Sequence, residues 1–142
     1  MPARSAEAVW EGNLKDGKGT MKLASGVWQG PYSFASRFAE GGGTNPEELV
    51  GAAHAGCFSM ALSHILSQAG HTPRRVHTTA KVHLEKAGEG FRVSQIDLNT
   101  EADVPGIDEP TFHKHADDAK QNCPISKLVT GAKITLQAKL VK

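Results

Sequence analysis

The 142-residue sequence predicts an α+β fold in which mainly antiparallel sheets surround two helices. Three observations carry this. Period-two alternation of apolar residues recurs at the start, middle and end of the chain. A long uncharged run, Leu49 to Leu66, follows a helix-start signal. A second helical pattern precedes the last strand, and the strands and helices do not alternate as repeated βαβ units would require.

Ala8 to Leu14 and Lys18 to Leu23 read as strands joined at Lys15-Asp-Gly-Lys-Gly19, the Asp-Gly pair being a hairpin signal. Tyr32 to Phe38 alternates, with Tyr32, Phe34 and Phe38 on one face and Ser33, Ala35 and Arg37 on the other, which predicts a third strand with Arg37 placed by its pleat. Glu40-Gly-Gly-Gly43 connects it to the long helix. Asn45 and Glu48 have capping-box spacing and Pro46 occupies the first helical position, so that helix is expected to start there and to end near Ala69-Gly70. Val76 to Leu84 alternates as a half-buried strand. Its partner, Phe91 to Glu101, shifts apolar phase between Val93 and Ile96, which predicts a bulge. Asp108 caps a second helix with Phe112, Ala116, Ala119 and Cys123 inward, and Pro124 stops it or opens a short new one. Lys133 to Leu140 closes the chain as a strand.

The composition fits one domain over residues 1–142. With 16 basic and 15 acidic residues interspersed and a net charge of +1, the footprint of a nucleic-acid binder is missing. The N-terminal residues lack a secretory pattern, and a cytoplasmic protein is expected. The uncharged run is mostly Ala, Gly, Ser and His, set among strands, so it reads as a core helix and not a membrane span. A helix apolar on nearly every side exceeds what one small sheet can cover, which argues for a dimer.

Chemistry centres on two cysteines, Cys57 and Cys123, which form no zinc motif. A cysteine on an apolar helix is most often a small buried hydrophobe. Cys57 lies roughly three turns into the helix, beyond the reach of the helix N-terminus, so burial should raise its pKa and leave an inert thiol unless a cation approaches. Both cysteines sit on inward helix faces and can meet. A thiolate oxidised to sulfenic acid needs such a partner. Glu47 lies ten residues before Cys57, about 15 Å away along the helix and roughly 80° out of phase, so it cannot reach the sulfur of its own helix. Across a two-fold axis it can, and Arg37 and Glu47 of one subunit are expected to complete the site around Cys57 of the partner. Taken singly, Glu47 reads as favouring the helix dipole and Arg37 as a solvated strand residue. His54, one turn before Cys57, permits a Cys-His nucleophile or a metal pair. It lacks the further groups either requires, and no metal or bound cofactor is expected.

Gly43-Thr-Asn-Pro-Glu-Glu-Leu leading into Ala52-Ala-His-Ala-Gly-Cys-Phe-Ser-Met-Ala-Leu62 resembles the OsmC/Ohr family of thiol-dependent peroxidases, its OsmC branch in particular. Support extends through Trp10 to Gly19, Val104-Pro-Gly-Ile-Asp108 and Asn122-Cys-Pro-Ile-Ser126; Gly56 is a mild departure where a slightly larger small residue is usual. The resemblance implies an intertwined homodimer with two long central helices and two active sites at the interface. It implies Cys57 as peroxidatic cysteine, Cys123 as resolving cysteine, and Arg37 and Glu47 as activating partners. It further implies reduction of organic hydroperoxides in oxidative and osmotic stress, a Cys57–Cys123 disulfide, and an external dithiol reductant of lipoyl type. An apolar lining from Phe34, Phe38, Phe58, Met60 and Leu62 would favour organic tails over hydrogen peroxide. The competing readings are a non-catalytic module binding an apolar ligand at the interface, and a metal-dependent hydrolase built on His54 and Cys57.

Overall fold

The computed structural model describes residues 2–141 and comprises two compact units, Met1–Leu49 and Val50–Lys142. In the first unit, β1 (Ala6–Glu11), β2 (Lys18–Leu23) and β3 (Gln29–Tyr32) form an antiparallel sheet in chain order. Its first strand ends earlier than Leu14. Trp10 Nε1 donates to the Gly12 and Asn13 carbonyls, and the Asn13 side chain accepts from the Asp16 amide at 2.7 Å, which folds the six residues between strands into a turn. Gly19 sits opposite Trp10, where a Cβ would run into the rings of Trp10 and Tyr32; its absence lets them pack at 5.3 Å.

The expected strand over Tyr32 to Phe38 is corrected. The strand stops at Tyr32 and a one-turn helix α1 (Phe34–Phe38) follows. Ser33 and Ser36 form a reciprocal capping box, each hydroxyl taking the other residue's amide, and this local pairing overrides the alternating pattern. The Ser36 hydroxyl also donates to the Thr44 carbonyl at 2.7 Å, and Asn45 Nδ2 donates to the Ser36 carbonyl at 2.9 Å. These bonds tie α1 to the start of the long helix.

That helix, α2 (Pro46–Gln68), begins where the sequence places it, with Asn45 Oδ1 accepting the Glu48 amide at 2.8 Å. Glu48 does not return the bond to Asn45; its carboxylate accepts from the Thr44 hydroxyl. Gly70, at φ +89°, ends the helix in a Schellman turn: the His71 amide bonds the Leu66 carbonyl and the Gly70 amide that of Ser67.

In the second unit, Gly51, His54, Phe58, Leu62 and Leu66 form the buried stripe of α2. Phe58, Leu62 and Leu66 belong to a core with Ile96, Leu98, Ala102, Phe112 and Ala116. At Gly51 a Cβ would come within 3.4 Å of the Ala80 carbonyl and Val82, so the helix packs close on the sheet there. β4 (Arg75–Ala87) pairs antiparallel with β5 (Gly90–Asp103), and the register shifts so that Ser94 is the extra residue, which is the expected bulge. α3 (Glu109–Asn122) starts at its Asp108 cap, and α4 (Pro124–Leu128) is a separate short helix. β6 (Lys133–Val141) then returns parallel to β5. The sequence reading of no βαβ element is therefore corrected at one place: β5, α3, α4 and β6 form a single crossover, invisible in a strand pattern that carries no direction. The class remains α+β with mainly antiparallel pairing.

Asp97 fastens the three strands of this sheet. Its carboxylate accepts from Thr135 Oγ1 at 2.6 Å, from His83 Nε2 at 2.7 Å and from Gln95 Nε2 at 2.7 Å. These bonds, Thr135 foremost, hold its carboxyl well below the usual carboxylate range. A depressed folded-state pKa contributes stability that is fully present above the unfolded value of 3.8 and is lost as the pH falls below it. Asp97→Asn is accordingly expected to flatten the acid limb of a plot of Tm against pH. An acid limb identical to that of the unsubstituted protein would rule this contribution out.

Candidate active site

The two sulfurs meet in the second unit through α4. Cys123 ends α3 and caps α4, and Pro124 brings no amide hydrogen to the new helix, so the first free amides belong to Ile125 and Ser126. Each meets a sulfur: the Ile125 amide points at Cys57 Sγ at 3.5 Å, and the Ser126 amide at Cys123 Sγ at 3.3 Å. Cys123 neighbours Cys57 closely enough to act on its titration, and both cysteines are free thiols. Cys123 is 1% exposed, whereas Cys57 is only partly buried and is the more accessible of the two.

Burial pushes the Cys57 thiol up from its ordinary value, the Ile125 amide opposes the rise, and the neighbouring Cys123 adds to it. The thiol is therefore held protonated by its immediate surroundings, as its place in the middle of α2 predicts. It requires an added positive charge to ionise at neutral pH.

Arg37 and Glu47 are brought together in the first unit. Arg37 Nε and Nη2 donate to Glu47 Oε1 and Oε2 at 3.1 and 3.0 Å, a two-pronged pair that fixes the guanidinium plane. Arg37 is carried on α1, not on a strand pleat, with its guanidinium carbon 5.3 Å from the Phe38 ring centroid. Glu47 is the more enclosed partner, 12% exposed against 37% for Arg37.

His54 is fully buried, and burial lowers its pKa. Its Nε2 lies 2.8 Å from Ser126 Oγ, which in turn lies 3.0 Å from Cys123 Sγ. Ser126 is thus a member of the site to which the sequence reading gave no role, although the Cys-x-x-Ser spacing at a helix start was a usable signal. Among the described residues, no group of three or more His, Cys, Asp or Glu side chains is placed to hold a metal ion.

The expected apolar lining divides. Phe58 and Leu62 are core residues with no exposed surface, and Met60 is 77% exposed. Phe34 and Phe38 stack on each other at 5.0 Å in the first unit. A different apolar cavity of about 360 Å³ opens in the second unit, lined by Val50, Arg92, Val93, Ile96 and Val129. Val129 caps the end of α4, the helix whose first turn contacts both sulfurs.

Two free thiols held side by side by one short helix, on an α+β scaffold, define a dithiol protein. Residues 39–139 match the family described as OsmC-like protein, and the chain belongs to that family. It is 51% identical over 138 residues to peroxiredoxin OsmC of Escherichia coli (strain K12), covering 96% of each chain. The organic hydroperoxide resistance protein of Xanthomonas axonopodis pv. citri is 32% identical over 94 residues, 66% of this chain and 64% of that protein. The fold is shared with the organic hydroperoxide resistance protein OhrB of Bacillus subtilis, at a TM-score of 0.74 and 24% identity over 95% of this chain and 98% of that one. It is also shared with an OsmC-like protein of Mycoplasma pneumoniae, at a TM-score of 0.76 and 17% identity over 99% of both chains.

Proposed function

We propose that this chain is a thiol peroxidase that reduces organic hydroperoxides to alcohols, with Cys57 as the attacking sulfur and Cys123 as the resolving one. The observation that carries the reading is the pairing of an accessible thiol with a buried thiol beneath α4. The names of the relatives agree with it: one is a peroxiredoxin and others are organic hydroperoxide resistance proteins. The chain is a peroxidase acting in hydroperoxide defence.

In the proposed cycle the Cys57 thiolate attacks one peroxide oxygen, the O–O bond breaks, the alcohol leaves and Cys57 becomes a sulfenic acid. Cys123 condenses with it, releasing water and forming a disulfide that an external dithiol of lipoyl type must reduce. Arg37, held by Glu47, supplies the charge that stabilises the thiolate, and it does so from the partner subunit of a homodimer. What supports the dimer is the composition of α2: its 18-residue apolar window is only 28% buried, and Gly56 and Met60 face outward with no charged neighbour between Leu49 and Leu66. Residues 1–142 would then act as one functional domain in a reducing, cytoplasmic setting. Tails of organic hydroperoxides bury apolar surface worth roughly 25 cal/mol per Å², so they are expected to outcompete hydrogen peroxide.

Cys123→Ser tests the division of labour. A first equivalent of cumene hydroperoxide should still be consumed. Turnover should then stop, with Cys57 advancing to sulfinic acid under excess peroxide, as read by mass spectrometry. Sustained turnover with dithiothreitol and no higher oxide on Cys57 would remove Cys123 from the cycle.

A further inference from the structure

Cys123 is enclosed, so its thiol has almost no direct contact with bulk water, yet the attack on a sulfenic acid requires its thiolate. Among the described residues, one basic side chain stands within two hydrogen bonds of it. Cys123 Sγ lies 3.0 Å from Ser126 Oγ, and Ser126 Oγ lies 2.8 Å from His54 Nε2. All three residues are buried: His54 has no exposed surface, Cys123 1% and Ser126 4%.

We propose that His54, Ser126 and Cys123 form a proton relay that serves the resolving step, with Ser126 as a catalytic residue and His54 as a positioning residue acting through it. The proposal rests on the peroxidase reading above and assigns it a further part. A serine hydroxyl has one hydrogen and two lone pairs, so it can accept from one neighbour while donating to the other. With the ring proton on Nδ1, the Cys123 thiol donates to Ser126 and Ser126 donates to Nε2. Shifting both protons along these bonds yields thiolate and imidazolium.

The thiolate of Cys123 then attacks Cys57 Sγ. The S–S bond forms, the S–O bond of the sulfenic acid breaks, and its electron pair leaves with oxygen as hydroxide. The proton taken up by His54 returns through Ser126 and completes a molecule of water. Cys123 sulfur is oxidised, the sulfenic sulfur of Cys57 is reduced, and the relay ends as it began.

The environment of His54 suits a base. Its buried Nδ1 has no hydrogen-bond partner among the described residues. Among the described residues no carboxylate bonds the ring to stabilise an imidazolium at rest, and burial favours the neutral form. Among the described residues, Cys57 lies one turn along α2 and Cys123 lies across Ser126. This also gives a reason for a polar ring in an otherwise apolar core stripe, where an unsatisfied nitrogen carries a cost.

The test treats the full-length reduced protein with one equivalent of cumene hydroperoxide. It follows the Cys57 sulfenic acid by dimedone trapping and the disulfide by non-reducing mass spectrometry after rapid quench. In Ser126→Ala, the lifetime of the sulfenic acid relative to its rate of formation is expected to lengthen about 100-fold, in the range of lost general acid-base assistance. Ser126→Thr keeps a hydroxyl and should restore the short lifetime. His54→Gln is the deciding variant: its amide can keep the bond to Ser126 but cannot take up a proton, so a packing role predicts a normal lifetime and the relay predicts a long one. A His54→Gln protein that resolves as fast as the unsubstituted chain overturns the relay. An unsubstituted chain that never yields a dimedone adduct on Cys57 overturns the peroxidase reading instead.

Discussion

Cys57→Ser is expected to abolish turnover of organic hydroperoxides, lowering kcat/KM by about three orders of magnitude or more with dithiothreitol as reductant. A serine hydroxyl occupies nearly the same volume on α2, so folding should be little affected. At neutral pH, however, it offers no anion to attack the peroxide, and an oxygen nucleophile cannot form the S–S bond that closes the cycle. Cys57 also sits between the buried face of α2 and the Ile125 amide, so no other sulfur can take its place without moving α4. A peroxide-consumption assay decides the matter, and full activity in the serine variant would end the proposed mechanism. The same assay separates the enzyme from a non-catalytic ligand-binding module, which would leave both proteins inactive.

Arg37→Met should reveal what ionises that sulfur. Burial and the nearby Cys123 both favour the neutral thiol, and the Ile125 amide is the one opposing influence the second unit supplies. A guanidinium about 4 Å from a thiolate at an effective dielectric near 20 provides about 4 kcal/mol. Arg37 is more than a third exposed, so solvent screening reduces this to about half, and a loss of roughly 30-fold in kcat/KM is expected. The curve of Cys57 alkylation against pH should move to higher pH in the variant; an unmoved curve takes Arg37 out of the site. Glu47 acts on the guanidinium and not on the sulfur, since its two bonds to Arg37 fix the plane of the fork.

Complementation then tells whether the charge is lent across a dimer. Alone, the Cys57→Ser protein should be inactive and the Arg37→Met protein should keep only its low residual activity. Co-expressed in equal amounts and allowed to exchange, half of the dimers are mixed, and each mixed dimer joins one intact Cys57 to one intact Arg37. About a quarter of the unsubstituted activity is expected if Arg37 serves its partner. No recovery above the Arg37→Met background would place the charge within one chain or nowhere.

Several features of the fold were legible because their causes are local. Asn45, Pro46 and Gly70 mark the ends of α2 by hydrogen bonds and backbone angles that involve only near neighbours. The phase shift between Val93 and Ile96 exposed the bulge at Ser94, since side chains on a strand alternate whatever their partner. Two errors have equally definite causes. The alternation of Tyr32 to Phe38 also fits one helical turn, and the Ser33–Ser36 capping box tips it that way. The parallel return of β6 beside β5 is set by the crossover through α3 and α4, not by anything in β6 itself.

The sequence by itself determined where α2 and α3 begin and end, the apolar stripes of those two helices, that the two cysteines can meet, and that Cys57 is too deep in its helix to be activated by the helix terminus. Those are properties of periodicity and capping, which act over a few residues. Only the tertiary structure decided that Pro124 leaves two amides to meet two sulfurs, that Arg37 grips Glu47 with both prongs, and that Ser126 stands between His54 and Cys123. His54 and Ser126 are 72 positions apart, and a hydrogen bond over that distance in sequence depends on how α2 and α4 pack, which no local pattern encodes.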